Sequence, residues 1–196
     1  MLINTARSSA LILLATALAT AATPKTHPLL KNSRLQAADH AVAGEVEKID
    51  SKTKTMVIKA EDGTEHTIKY TDKTTVHDLK DATHATDHIA HEGDHVVVRY
   101  AGEGEHATAT DVEHIGKTSM KTLDGTIQKV DTTSHTIVVK SKDGTLHTYH
   151  VADRAMVDTG KKVENFSETS AKKGERVTVH YTQEAGQKVA HLFKHF

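Results

Sequence analysis

Five histidines and one aspartate within residues 77–95 are the side chains of this sequence best suited to chemistry. The candidate metal ligands are His77, Asp81, His84, His88, His91 and His95. Neutral imidazole is a ligand for Zn, Cu(II) and Ni, and a carboxylate oxygen can complete such a set. His84, His88 and His91 stand at i, i+4 and i+7, which places them on one face of a helix. Because seven helical residues rise about 10 Å, a pair with an outside ligand suits one ion better than all three.

The residues around these histidines favour a helix. Asp78 suits an N-cap, with Asp81 three residues on, and Gly93 suits the stop. At 100° per residue the histidines lie opposite an apolar side made of Leu79, Ala82, Ala85, Thr86 and Ile89. The pattern therefore predicts a short helix that docks by its apolar side and exposes its histidines.

The chain also contains an internal repeat. The 33 residues from Gly44, GEVEKIDSKTKTMVIKAEDGTEHTIKYTDKTTV, align without a gap with GTIQKVDTTSHTIVVKSKDGTLHTYHVADRAMV from Gly125, at an offset of 81. The same offset aligns Gly93 with Gly174 and Tyr100 with Tyr181. Ungapped self-similarity over segments of this length predicts two copies of one domain.

Each copy has the signals of a small barrel. Asp62-Gly63 and Asp143-Gly144 lie between β-rich runs and predict hairpins. In HVVVRY, residues 95–100, alternation predicts a core face of Val96, Val98 and Tyr100. The sequence thus predicts an all-β fold with one short helix per repeat, arranged as two tandem five-stranded OB-like barrels.

These motifs carry a resemblance. The chain resembles small OB-type β-barrel domains of exported bacterial proteins. In the first copy the resemblance rests on Gly44-Glu-Val46 with Ile49-Asp50, on the hairpin, and on EGDHVVVRY at 92–100. In the second copy it rests on GTIQKVD from Gly125 and KGERVTVHY from Lys173. A more distant resemblance is to the periplasmic copper-binding barrels of metal-efflux systems. That family implies copper ligation by methionines with a tryptophan, but this chain has no tryptophan and its methionines are scattered, so no site residue is transferred.

The N-terminus predicts export. Residues 1–22 combine Arg7 with an apolar run and small residues near its end, which is typical of a signal peptide. Residues 23–40 are interpreted as a flexible leader, 41–115 and 122–196 as the two barrels, and 116–121 as a linker. The mature chain then has no predicted membrane span, and we expect it in the periplasm or the medium. The absence of cysteine excludes disulfides and thiolate metal sites.

Charge and motifs narrow the function. Without the predicted signal peptide, which contains Arg7, the chain has 24 basic and 26 acidic residues. This net negative charge does not provide the basic surface that nucleic-acid binding requires. No nucleophile, acid–base or phosphate-loop motif occurs, so we expect no enzyme. The leading hypothesis is a non-catalytic binding module that holds a divalent transition metal weakly at the histidine face.

An internal control keeps an alternative open. The second copy has Asp158, Asn165, Thr169, Lys172 and Arg176 at the positions of the five histidines. The fold therefore does not require imidazoles there, and a solvated polar face explains them as well as a metal site does. The alternative function is a cell-envelope structural or interaction protein, with an envelope protein or polysaccharide as partner and incidental histidines. The recurring His66 and His147 are interpreted as hydrogen-bonded residues at a barrel rim.

Overall fold

Strands make up nearly all of the secondary structure, as the density of β-branched residues predicts. The computed structural model describes residues 39–78, 82–84, 89–167 and 170–196, with the backbone alone at 82–84. The chain divides into Met1–Ser33 and Arg34–Phe196, and every described residue belongs to the second unit. The predicted signal peptide and most of the predicted leader lie outside the described residues.

The first half of the described chain contains seven strands and one 3-10 helix, Gly104–His106. The strands are β1 Asp39–Asp50, β2 Thr55–Ala60, β3 Glu65–Lys69, β4 Thr75–His77, β5 Ala82–His84, β6 His95–Ala101 and β7 Thr108–Gly116. They form one sheet in the order β3-β2-β1-β6-β7-β4-β5. The parallel pair Lys69 and Thr108 also joins β3 to β7.

The second half contains six strands. They are β8 Lys121–Asp131, β9 Thr136–Ser141, β10 Leu146–Asp158, β11 Val163–Asn165, β12 Arg176–Glu184 and β13 Gln187–His195. The order β11-β10-β13-β12-β8-β9, with β10 also paired to β9, closes five of them into a barrel. Closure satisfies the backbone groups that a free sheet edge would expose.

The same register recurs in both halves at an offset of 81 residues. Lys69 pairs with Thr108 and His150 with Val189, each in parallel. The β1–β2 ladder is bulged between Val46 and Lys48, and the β8–β9 ladder between Ile127 and Lys129. Both halves also place a glycine where strands approach closely: a Cβ on Gly44 would lie 2.2 Å from the Lys59 carbonyl oxygen, and one on Gly125 2.6 Å from that of Lys140.

Buried side chains form three clusters. The predicted face of Val96 and Val98 packs inside the first half, and Val177 and Val179 pack inside the second. The third cluster joins the halves and contains Ala41, Ala43, Val97, Met120, Met156, Val163 and Leu192. It explains why Val97, on the outward face of β6, has no exposed surface.

The predicted helix of each copy is not seen in the described residues, and residues 79–81, 85–88 and 168–169 of these segments lie outside them. In the first copy residues 82–84 form β5, which pairs with β4, and β4 in turn pairs with β7. In the second copy Val163–Asn165 forms β11, which pairs with the end of β10. β5 and β11 each extend a sheet at its edge. The hydrogen bonds and packing gained by this pairing outweigh the weak helical preference of the segment.

Candidate functional site

The candidate site lies where β4 packs beside β7. The β4 and β7 strands run parallel, with His77 in register with Glu113 and Thr75 with Asp111. On β7, Asp111 and Glu113 are two residues apart and therefore share a face. His77 thus meets a row of carboxylates rather than open solvent.

His77 is held by one of these carboxylates. Its Nε2 lies 2.9 Å from Asp111 Oδ2, and only 12% of its side chain is exposed. An ionised carboxylate only accepts, so Nε2 carries a proton, and in the neutral imidazole Nδ1 then holds the lone pair. Nδ1 is buried and has no hydrogen-bond partner. A histidine oriented by a carboxylate through one nitrogen, with the other nitrogen lacking a protein partner, is the usual arrangement of a metal ligand.

The backbone brings a second candidate beside it. In the β4–β5 hairpin, Thr75 pairs with His84 and His77 with Ala82. His77 and His84 are therefore diagonal positions of an antiparallel pair, which are about 7 to 8 Å apart. The hairpin, rather than a helix, provides the close spacing of two histidines.

Of the four remaining predicted residues, only His91 and His95 are described, and they contact other partners. Asp81 and His88 lie outside the described residues. His91 is largely exposed, with Nδ1 3.5 Å from Asp94 Oδ2. His95 pairs with Glu45 and Gly116 in the sheet, and its Nδ1 is buried without a partner. Within the described part of the chain, no three His, Asp or Glu side chains stand close enough to hold a metal ion.

Asp94 organises a second polar cluster next to β7. It accepts hydrogen bonds from the His91 amide at 2.8 Å and from His114 Nε2 at 2.9 Å, and it pairs with Lys117 at 3.1 Å. Burial alone would raise the pKa of Asp94, but these hydrogen bonds outweigh it and hold the pKa well below its usual range. His114 also has Nδ1 3.5 Å from Asp78 Oδ1. Asp94 is thus a fixed anion that orients His91 and His114.

The second half completes the surroundings of His77. Arg154 Nη1 lies 3.4 Å from His77 Nε2, and His191 Nδ1 lies 3.2 Å from Glu113 Oε1. A cavity of about 400 Å³ opens here, lined among others by His77, Asp78, Glu113, Asp153, Arg154 and His191. Sequence reasoning did not identify Asp111, Glu113, Arg154 or His191 as part of the site. The one sequence signal was the pair of acids two positions apart on β7.

The recurring histidines lie at equivalent positions of two hairpin strands, β3 and β10. His147 contacts Lys188 Nζ at 2.8 Å through Nδ1 and Ser141 Oγ at 3.2 Å through Nε2. The equivalent His66 is partly buried, and burial together with the charge of Lys194 lowers its pKa. The hydrogen bonds of His147 agree with the structural role predicted from its recurrence.

Comparisons with known proteins give structural likeness alone. No family model matches the chain, and no curated protein matches it. A structure of apo-CusF residues 6–88 from Escherichia coli aligns at a TM-score of 0.32 with 13% identity, over 40% of this chain and 89% of that one. Ag(I)CusF and CusF-Ag(I) residues 10–88 from Escherichia coli align at the same TM-score with 10% identity, over 40% of this chain and 99% and 94% of theirs. Within the described residues, no helix has the length and apolar character needed to cross a bilayer.

Proposed function

We propose that the protein is an exported, non-catalytic binding module that holds one divalent transition-metal ion at the β4–β5 hairpin. His77 and His84 are the proposed ligands, and Asp81 or His88 is the proposed source of a third. In this proposal residues 41–115 and 122–196 are two OB-type barrel domains joined by residues 116–121. The expected location is the periplasm or the medium.

One observation carries the proposal: the hydrogen bond from His77 Nε2 to Asp111, which leaves a lone pair on an unpartnered Nδ1. The bond fixes both the tautomer and the plane of the ring, so little ordering remains when an ion binds. Imidazole nitrogen with one carboxylate oxygen suits Zn, Cu(II) or Ni. Glu113 and Arg154 both line the adjacent cavity, so a carboxylate and a guanidinium lie near the proposed ligands.

Titration calorimetry of the mature chain with Zn(II), Cu(II) and Ni(II) tests this. We expect about one ion bound with a micromolar Kd, and at least a hundredfold weaker binding in His77→Ala/His84→Ala. The matched control is His106→Ala/His150→Ala, which removes two exposed imidazoles elsewhere and should leave the Kd unchanged.

A third variant tests the role of the carboxylate. Asp111→Asn keeps the size of the side chain but removes the charge that fixes the His77 tautomer, so affinity should fall about 10- to 100-fold. Millimolar binding, or binding that survives the loss of His77 and His84, would contradict the proposal. It would favour the other reading of the sequence, a cell-envelope protein that recognises a macromolecule.

A further inference from the structure

A lysine of the second half occupies a space that the first half leaves empty. Lys188 Nζ donates to His147 Nδ1 at 2.8 Å. The same ammonium lies 5.4 Å from the ring centroid of Tyr149 and 5.5 Å from that of Tyr181. The two tyrosine rings meet edge to face, with centroids 5.0 Å apart. A primary ammonium is therefore bound at the rim of the second barrel by one imidazole and two aromatic faces.

The equivalent position of the first half is fixed by register. Thr108 pairs with Lys69 as Val189 pairs with His150, so Ala107 corresponds to Lys188. The bulge between Arg99 and Tyr100 on β6 matches the one between His180 and Tyr181 on β12. The 81-residue alignment of the two halves therefore holds through these strands. Ala107 is buried, and its side chain belongs to the first core.

Of the four side chains that meet at the Lys188 ammonium, two have the same residue type in the first half and two are replaced by smaller residues. His66 and Tyr100 correspond to His147 and Tyr181, and their rings are 6.4 Å apart. Ile68 replaces Tyr149, and Ala107 replaces Lys188. A cavity of about 590 Å³ opens at these two smaller side chains and is lined by His66, Ile68, Tyr100 and Ala107 among others.

The lining of this cavity contains several glutamates. Glu65, Glu103 and Glu105 contribute to its wall, and none of the described lining residues is a lysine or arginine. His40 completes the rim, with its ring 5.5 Å from that of Tyr100 and its Nε2 3.9 Å from Glu103 Oε1. In the second half the residues at the positions of Glu65 and Glu105 are Leu146 and Gly186. The half that lacks the internal ammonium is thus the half that carries the additional acids.

We propose that the cavity bounded by His66, Tyr100 and Ala107 binds a primary alkylammonium group. The ligand supplies the atoms that Lys188 supplies in the second barrel. Its ammonium donates to the His66 imidazole and a rim glutamate and lies against the Tyr100 face, and its alkyl chain fills the space beyond Ala107. Burial keeps His66 neutral near pH 7, so the imidazole accepts a hydrogen bond rather than repelling the cation.

The n-propylammonium ion reproduces a lysine side chain beyond Cβ and is the probe for the test. It is titrated into the mature protein at pH 7.5 in the presence of EDTA, with amide chemical shifts followed by NMR. We expect saturable shifts at residues 66–68, 100 and 107, with a millimolar Kd. 1-Propanol, of equal size and uncharged, should bind at least tenfold more weakly.

Two reciprocal variants decide whether the site is the one proposed. Ala107→Lys should fill the cavity from within and abolish the shifts. Lys188→Ala should open the second rim and add shifts at residues 147–149 and 181, raising the number of sites from one to two. Glu103→Gln should weaken binding in the first site about tenfold without altering the fold.

The source of the amine is distinguished by a further pair of probes. 1,4-Diaminobutane represents a free amine, and acetyl-Gly-Lys-Gly-amide represents the lysine of a peptide; the tighter ligand identifies the source. Absence of saturable shifts with n-propylammonium, equal binding of 1-propanol, or unchanged binding in Ala107→Lys would overturn the proposal. If Ala107→Lys does not fold, an unchanged Kd in Glu103→Gln together with no second site in Lys188→Ala overturns it instead.

Discussion

At the rim of the second barrel Lys188 lies beside His147 and two tyrosines, whereas the equivalent position of the first half has Ala107 and Ile68 beside a cavity of about 590 Å³. The strand register around the two positions is the same. A second difference lies at the β4–β5 hairpin, where His77 and His84 stand at the positions of Asp158 and Asn165. Asp158 accepts from the amide of Ala41, so the second half uses this position for an internal contact. Identical backbone pairing therefore supports internal packing in one half and candidate binding positions in the other.

The largest expected effect concerns the two cores. Phe193 and Val112 are equivalent and have no exposed surface. Phe193→Ala should cost about 3 to 5 kcal/mol of unfolding free energy and Val112→Ala about 2 kcal/mol, because the larger side chain leaves the larger cavity. Since the cluster of Val97, Met156 and Leu192 joins the halves, urea unfolding followed by circular dichroism should show one transition, lowered by either change. Two transitions, each sensitive to one variant, would show that the halves unfold independently.

The next effect depends on pH and on His180, whose counterpart in the first half is Arg99. Arg99 pairs with Asp39, whereas His180 is 7% exposed and neither ring nitrogen has a hydrogen-bond partner. Burial, helped by Lys194 and opposed by Asp62 and Asp124, lowers the pKa of His180 from 6.5 to about 4. Between these two pKa values the imidazole is protonated in the unfolded chain and neutral in the folded one. The free energy of unfolding therefore falls as the pH drops from about 6.5 to about 4.

At 1.36 kcal/mol per pKa unit this loss amounts to about 3 kcal/mol. Urea midpoints measured at pH 7 and pH 4.5 should differ less in His180→Gln than in the unaltered protein, because glutamine does not titrate. His66 and the carboxylates titrate in both proteins, so the difference between the two pH dependences isolates His180. An equal loss in the variant would contradict the assignment.

The smallest effect tests the similarity of the halves rather than their difference. Gly63 and Gly144 have φ values of 83° and 89° in the two matching hairpin turns. A Cβ at either position would meet no backbone atom within 4 Å, so the cost of Gly→Ala is the left-handed conformation itself, about 1 kcal/mol. We expect nearly equal shifts in melting temperature from Gly63→Ala and Gly144→Ala. A marked inequality would show that one turn is held by contacts that the other lacks.

Much of the fold could be predicted because it depends on local chemistry. Asp62-Gly63 and Asp143-Gly144 form the predicted turns, and β2 and β3 pair across the first of them. The alternation in β6 correctly placed Val96 and Val98 in the core. These features follow from the two-residue period of a strand and from the backbone freedom of glycine, both of which are visible in one sequence.

The candidate site was predicted only in part. His77 lies beside a cavity, but the described residues 82–84 of the histidine-rich segment form a strand where a helix was predicted. The ordering carboxylate, Asp111, is 34 residues away along the chain. Periodicity within the segment could not identify such a partner, because sheet register brings the two strands together.

The sequence by itself determined the hairpin strands and their turns, the core strand β6, the 81-residue offset of the halves and the stretch in which histidines concentrate. Only the tertiary structure decided that residues 82–84 extend a sheet, that Val97 is buried by the other half, and that Lys188 fills a space which Ala107 leaves open. Turn and strand preferences are properties of neighbouring residues. Burial of an outward face and the filling of a rim depend on atoms from strands far apart in sequence, whose distances are set when the sheets close.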